Sequence, residues 1–400
     1  MSRSLALVAL FGLPMMQAQS AEVDGLQFSG YTRGGAFSGI PRGGYTLGGD
    51  LQKFRLGNEG DNGIEVGLST TGNAGSGKKW GMMYMPAIWN GTVIQAQAYG
   101  MMTGLDFAPE AKFWAGQRRL RLQEIHIVDH FIMDYGENTG AGMTDLNLGF
   151  ARMGFAISNA GNFTTPSIAN DARRYNLELS EIKVNAGGKL RMLATLVQGN
   201  FQMSTPGSAL SISHDQSDFL MKGLSNTLFL QGSNGHAGLT GKFEGLGDAV
   251  TAATTGGEQP GKKAMRVTDA ITWQSGVIGG QALVSYQTDK IDGGANSDIS
   301  TKDLSMGGRM SYAIGQNFKW LVEAGTTSRA IDGQARQRLE KITIAPTLGV
   351  APGFWSRPEM RFYVTHVRWN DAAALANQTS FGSGGKTSTT IAGVQLEIWW

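Results

Sequence analysis

The last seven residues constrain the fold of this chain more than any other stretch. In Val394-Gln395-Leu396-Glu397-Ile398-Trp399-Trp400, an extended backbone sends successive side chains to opposite faces. Val394, Leu396, Ile398 and Trp400 share one face; Gln395, Glu397 and Trp399 share the other. An aliphatic stripe ending on an aromatic suits a strand whose outer face lies in lipid and whose last ring sits at headgroup level, with the polar face toward a wet lumen. In a water-soluble sandwich the same stripe would be core, and the terminal Trp400 would have no place in it. The pattern points to an all-β chain, a transmembrane antiparallel β-barrel.

The rest of the sequence agrees. Beyond the first residues there is no uninterrupted apolar run of membrane-helix length, yet glycine reaches 58 of 400 residues without a collagen period, and aromatic content is too high for disorder. With no cysteine, disulfide scaffolds, zinc–thiolate sites and thiol nucleophiles are excluded. Basic and acidic residues balance at 34 and 32, so the chain carries no nucleic-acid footprint. At the start, Arg3, the apolar run Leu5–Phe11 and the small residues of Ala18-Gln19-Ser20 have the layout of an export signal. The expectation is a signal peptide over 1–20, cleaved after Ser20, followed by a single barrel domain over 21–400.

Alternating segments recur along the chain. Leu177–Val184, Asn185-Ala186-Gly187-Gly188 and Lys189–Ala194 read as strand, tight turn and strand. Leu146–Phe150 leads into Gly154–Ile157; Ala270–Trp273, Ala282–Tyr286 and Arg361–Trp369 are further strands. Gly72–Gly77, Thr251–Gly257 and Gly382–Thr390 read as loops. A tilted crossing takes about 10 residues, so about 380 mature residues fit 18 strands, and 16 almost as well.

Several blocks resemble the maltoporin family. Gly30-Tyr31-Thr32-Arg33-Gly34-Gly35 matches its opening strand and Phe54-Arg55-Leu56-Gly57-Asn58-Glu59 its second-strand signature. Trp114–Arg119, continuing through Glu124–Asp129, is similar to its inward-folded third loop, and Trp355-Ser356-Arg357-Pro358 and the Glu397–Trp400 ending complete the set. The resemblance implies 18 strands, a homotrimer in the outer membrane of a Gram-negative-type cell, a constriction loop folded into the lumen, and facilitated diffusion of maltose- or maltodextrin-like oligosaccharides. It also implies roles for particular residues. Tyr31, Phe131, Trp355 and Trp399 fall on the aromatic path along which sugar rings stack. Arg33, Arg55, Glu65, Arg118, Glu124 and Asp129 fall on the polar lining that exchanges hydrogen bonds with sugar hydroxyls. The chain departs from the family where a path tyrosine falls on Gly63, a third-loop arginine on Leu122 near Arg119 and Arg121, and a mid-barrel phenylalanine near Leu228, with Phe229 in the outward register. The second loop, which in the family reaches a neighbouring subunit, is shortened around Pro86–Trp89.

Enzyme chemistry finds no support. His126 and His130 have i, i+4 spacing but lack the glutamate of a zinc-protease motif, Gly256–Lys262 is followed by Lys263 and is no P-loop, and no nucleophile elbow is present. No metal or cofactor is expected, and the partners are sugars and outer-membrane lipids. The competing function is a general diffusion porin that selects by size and charge. Trp400→Asp is expected to reduce the yield of folded, heat-modifiable barrel far more than it changes permeation, because it places a charge at the lipid interface. Semi-native gel electrophoresis reads this, and a normal barrel yield would contradict the outward orientation of Trp400.

Overall fold

The structure is a computed structural model that describes residues 23–41, 43–159, 173–198, 206–242, 262–291, 298–383 and 385–400. The expected signal peptide and the Thr251–Gly257 stretch lie outside the described residues. Eighteen strands form one sheet. They are β1 (Val23–Phe37), β2 (Gly63–Gly75), β3 (Lys78–Trp89), β4 (Thr92–Thr103), β5 (Lys112–Ile125) and β6 (His130–Asn147); then β7 (Arg152–Asn159), β8 (Arg173–Asn185), β9 (Gly188–Gln198), β10 (Gly207–Gln216), β11 (Leu224–Asn234) and β12 (Lys262–Ser275). The last six are β13 (Ile278–Ile291), β14 (Ile299–Ala313), β15 (Phe318–Ile331), β16 (Gln337–Gly349), β17 (Glu359–Trp369) and β18 (Ser388–Trp399). Every strand pairs antiparallel with its neighbours in sequence, and β18 closes on β1 with Tyr31 opposite Trp399 and Phe37 opposite Gly393. The strand order closes on itself, so among the described residues the wall ends on no terminal edge strand, whose open backbone groups lipid could not hydrogen-bond.

The alternation along the strands is inverted relative to a water-soluble protein. On β17, Glu359, Arg361 and Thr365 are buried toward the interior while Met360, Phe362 and Val364 are exposed on the outside. On β14, Asp303, Ser305, Arg309 and Ser311 point in, and Leu304, Met306, Met310 and Tyr312 point out. The outer surface is thus an apolar belt, with Tyr312, Trp320 and Trp400 among its exposed aromatics, as a bilayer-spanning wall requires. This is the alternation read in the final strand, where Gln395 and Glu397 are buried and Trp400 is exposed.

Two segments fill part of the interior. The first, residues 38–62 between β1 and β2, buries Tyr45, Leu47, Leu51, Phe54 and Leu56 inside the barrel. Its irregular backbone finds partners there: Leu56 N–H donates to Glu323 Oε1 at 2.8 Å, Thr343 Oγ1 donates to the Leu56 carbonyl at 3.0 Å, and Asn58 Nδ2 donates to the Phe54 carbonyl at 3.1 Å. The ring of Phe54 lies on the cross-strand glycine pair Gly307 and Gly325; a Cβ on Gly325 would stand 2.2 Å from Phe54 Cδ2.

The second is the hairpin of β5 and β6. β5 pairs with β4 only from Phe113 to Gln117, and β6 pairs with β7 only from Gly140 onward. Residues 118–139 therefore leave the wall as a two-stranded arm inside the barrel, bent by register shifts at Arg119, Arg121 and Gln123. A 3₁₀ turn over His126–Val128 forms its tip, and Asp129 closes the turn at φ 53°, its N–H donating to the His126 carbonyl at 3.1 Å. The back of the arm packs Leu120, Ile125, Ile132 and Tyr135 into one apolar cluster with Phe54, Leu193, Phe229 and Phe354. This is the inward constriction loop expected from the sequence.

The structure differs from expectation at several places. Gly72–Gly77 is not a loop: β2 runs to Gly75, and only Ser76 and Gly77, both at positive φ, turn the chain into β3. In the region of Gly382–Thr390, β18 has already begun at Ser388. Ahead of it lie two short helices, α1 (Asp371–Ala376) and α2 (Gln378–Phe381), capped by the side chains of Asn370 and Asn377. Phe229 faces inward, 2% exposed, while Leu228 faces outward; the bland composition around them carries no signal of phase, which the β10 and β12 neighbours set. The choice between 16 and 18 strands falls to 18. Gly325→Val is expected to expel Phe54, loosen the 38–62 segment and raise open-channel conductance while the barrel still forms. Single-channel recording checks this, and unchanged conductance would mean that Phe54 does not anchor the segment.

Candidate functional site

Between the inward arm, the 38–62 segment and the wall lies a cavity of about 790 Å³. β1 supplies Tyr31 and Arg33, two residues apart and so on one face; β18 supplies Glu397 behind them and Trp399 on the cavity. β2 contributes Glu65, the cross-strand partner of Tyr31, and β3 ends on Trp89. The arm brings Arg119, Arg121, Glu124, His126, Asp129 and Phe131, and the connection between β16 and β17 brings Trp355.

Aromatic rings and ionic groups occupy the cavity together. Trp89 stacks on Tyr31 with ring centroids 6.2 Å apart. His126 wedges between Trp355, at 5.3 Å, and Trp399, at 5.6 Å. The Arg357 guanidinium lies 4.1 Å from the Trp399 ring, and that of Arg121 lies 4.1 Å from Phe131; cations over ring faces fix the orientation of the rings.

Beneath this surface a buried ion network holds the pieces together. Arg55 donates to Glu59 Oε1 at 2.8 Å, to Glu397 Oε1 at 2.8 Å and to Tyr31 Oη at 2.9 Å, and its Nη1 lies 3.2 Å from His126 Nδ1. Tyr31 in turn donates to Glu397 at 2.8 Å. Glu397, fully buried, also takes Arg357 at 2.8 Å and Arg361. Arg33 ties Glu59 at 2.7 Å, Asp61 at 2.7 Å and Asp129 at 3.2 Å. One guanidinium thus joins the 38–62 segment to the closing strand and the tip of the arm. Burial by itself would raise the Asp129 carboxyl, but Arg55, Arg33 and Lys53 outweigh it and hold the group below the usual carboxylate range. Burial, reinforced by Arg55, pushes His126 well below the ordinary histidine range, so it is neutral at pH 7.

Charged groups differ in how far they reach the cavity. Arg33, Arg55 and Arg119 are nearly enclosed, at 7%, 2% and 7% side-chain exposure, whereas Arg121, Glu124, Glu137 and Asp129 are about a third exposed. The enclosed arginines are committed to carboxylates; Arg119, for example, holds Glu65 at 2.7 Å. The exposed ones keep hydrogen-bonding capacity for a solute.

Of the ten residues singled out from the sequence, nine meet at this cavity: Tyr31, Phe131, Trp355, Trp399, Arg33, Arg55, Glu65, Glu124 and Asp129. Arg118 does not. Its guanidinium lies over Tyr99 and Trp114, 4.9 and 5.3 Å from the ring centroids, away from the cavity. Leu122 packs against the apolar cluster behind the arm, while its neighbour Arg121 lines the cavity. Trp89, Asp61 and Glu137 also line it and were not singled out. Trp89 owes its place to the register: a straight count from the Ser76-Gly77 turn would set it opposite Ile64, and the irregularity between Asn73 and Gly75 shifts it by one to face Gly63. His126 and His130 sit in different elements, the 3₁₀ turn and the start of β6, and not on a shared helical face.

The model of the LamB porin family matches residues 26–400. The chain belongs to the LamB porin family. This porin is 27% identical over 322 residues to a protein named maltoporin from Hahella chejuensis, an alignment covering 77% of this chain and 71% of that protein. It is 26% identical over 380 residues to a maltoporin of Vibrio cholerae, covering 86% and 88%. In fold it is similar to the crystal structures of Acinetobacter baumannii OccAB1, with TM-score 0.54 and 11% identity over 95% of this chain and 98% of that one, and OccAB2, with TM-score 0.51 and 9% identity over 96% and 99%. It is an outer-membrane β-barrel channel.

Because Glu59 retains Arg33 and Glu397 retains Arg357 and Arg361, Arg55→Met is expected to destabilise this porin by about 3 kcal/mol, the lower end for a broken buried ion pair. Urea unfolding in lipid vesicles measures the loss. A midpoint equal to that of the natural protein would show that Arg55 does not hold the interior segments in place.

Proposed function

We propose that this porin carries out facilitated diffusion of sugars, of the maltose and maltodextrin type, across the outer membrane. The observation that carries this is the adjacency of aromatic faces and partly exposed ionic groups at one constriction: Tyr31, Trp399 and Trp355 beside Glu124, Asp129 and Arg121. A pyranose ring has C–H faces that stack on aromatic surfaces and hydroxyls around its rim. Ionised groups give and accept stronger hydrogen bonds than neutral ones, so the rim hydroxyls have partners as the ring slides. Several weak stations in series admit a solute without trapping it. Tyr31, Phe131, Trp355 and Trp399 form the stacking side in this reading. Glu124 and Asp129 bond the hydroxyls directly, and Arg33, Arg55 and Glu65 position the wall behind. Arg118, off the cavity, steadies the root of the arm through Tyr99 and Trp114.

The chain works as a homotrimer, exported with its first 20 residues as a cleaved signal, and 21–400 is one barrel domain. An apolar hollow of about 440 Å³ on β1–β5, lined by Leu26, Leu68, Met82 and Tyr84, supports a subunit contact on that side.

Trp399→Ala is expected to weaken oligosaccharide block of the ion current several-fold, on the order of 1 kcal/mol for one lost stacking surface, with the trimer intact. Planar-bilayer titration with maltooligosaccharides reads the block. Natural protein whose current no oligosaccharide blocks, with liposome swelling that tracks solute mass alone, would instead identify a general diffusion porin.

A further inference from the structure

Trp89 stands at the end of β3, directly opposite Gly63 of β2. A Cβ built on Gly63 would come within 2.2 Å of Trp89 Cε3 and 2.3 Å of Cδ2, closer than any side chain allows. The indole therefore lies flat over the backbone of β2, in the space that a side chain at Gly63 would fill. From the sequence, Gly63 is a gap in the aromatic row; in the fold, the next strand covers that gap.

Three contacts set the ring. It stacks on Tyr31 at 6.2 Å with planes 25° apart, the Arg33 guanidinium lies 5.0 Å from its centroid, and its Nε1–H donates to Glu65 Oε1 at 3.2 Å. The ring is only partly buried and lines the same cavity as Tyr31 and Trp399. Tyr31 is the cross-strand partner of Trp399, whereas Gly63, and through it Trp89, is level with Arg33. Arg33 lies two residues farther along β1, toward the end of the barrel where Asn90 and Gly91 turn β3 into β4. The aromatic surface thus climbs from Trp399 to Tyr31 to Trp89, crossing β2 at its glycine.

We propose that Trp89 is a further sugar-stacking residue at the loop end of the path, supplied by the same chain, and that Gly63 seats it. This rests on the sugar-channel reading. An outer station is engaged by a chain long enough to reach it while its other end occupies Trp399. Losing Trp89 therefore weakens binding of a hexasaccharide more than that of maltose.

The test is current block of the full-length channel in planar bilayers by maltose through maltohexaose, for the natural protein, Trp89→Ala, Trp89→Phe and Gly63→Ala. Trp89→Ala should weaken maltohexaose block several-fold and maltose block far less. Trp89→Phe should retain most of the affinity. Gly63→Ala, which removes no atom but thrusts a methyl into the indole, should reproduce the Trp89→Ala pattern and serves in its place if that variant does not assemble. Natural protein that is blocked while both Trp89→Ala and Gly63→Ala bind every length unchanged overturns the proposal and leaves the sugar channel standing. So does an equal loss at all lengths, or a Trp89→Phe channel as weak as Trp89→Ala, since either would assign Trp89 a packing or hydrogen-bonding role. A natural channel that no sugar blocks overturns the sugar reading itself, and this proposal with it.

Discussion

Everything in this porin follows from the absence of water in the bilayer core. Each backbone N–H and C=O that crosses the hydrocarbon must find a partner in the protein, and a sheet does so only by closing on itself. The seam between β1 and β18, with Tyr31 opposite Trp399 and Arg33 opposite Glu397, is therefore both the closure of the wall and the base of the functional site. Closure also sets polarity. One face of every strand meets lipid and the other an enclosed interior, so Arg361 and Glu359 are buried while Phe362 and Val364 are exposed.

An interior lined with ionisable groups is costly unless those groups are paired. Here they are paired largely with one another across distant parts of the chain. Arg55 joins Glu59, Glu397 and Tyr31, and Arg33 joins Glu59, Asp61 and Asp129. The same bonds that satisfy buried charge pin the 38–62 segment and the tip of the β5–β6 arm to the wall. Neutralisation and constriction are one arrangement. The apolar side of the arm, packed against Phe54 and Phe354, sets how far it projects. The ionic side faces the passage with Arg121, Glu124 and Asp129 left partly exposed.

The aromatic surface is assembled on the same principle. Tyr31 and Trp399 are neighbours only because the two terminal strands pair, and His126 and Trp355 join them from a loop tip and a connection on the far side of the sequence. Rings from five separate stretches of chain, Trp89 included, share one cavity because the closed barrel turns the inward faces of its strands toward one axis and the arm and the connection before β17 fold inward to meet them.

The sequence by itself determined the wall. A period of two with apolar residues on one face is a local property, so Gln395 and Glu397 against Ile398 and Trp400, and the Asn185–Gly188 hairpin, were legible from neighbouring residues alone. Nine of the ten residues singled out also converge on the cavity, because their strands or loop carried matching blocks. The tertiary structure decided what depends on register between strands and on how interior segments pack. Arg118 and Leu122 turn away from the cavity while Arg119 and Arg121 turn toward it by the ordinary alternation of β5, but which of its two faces meets the cavity is decided by the packing of the apolar face against Phe54 and Phe354. Phe229 points inward because the ladder with β10 and β12 sets its phase. Trp89 fills the place of Gly63 because two strands meet in one register. Side-chain alternation is written in each strand, but the alignment of one strand with the next is a pairwise quantity, and no single stretch of sequence contains it.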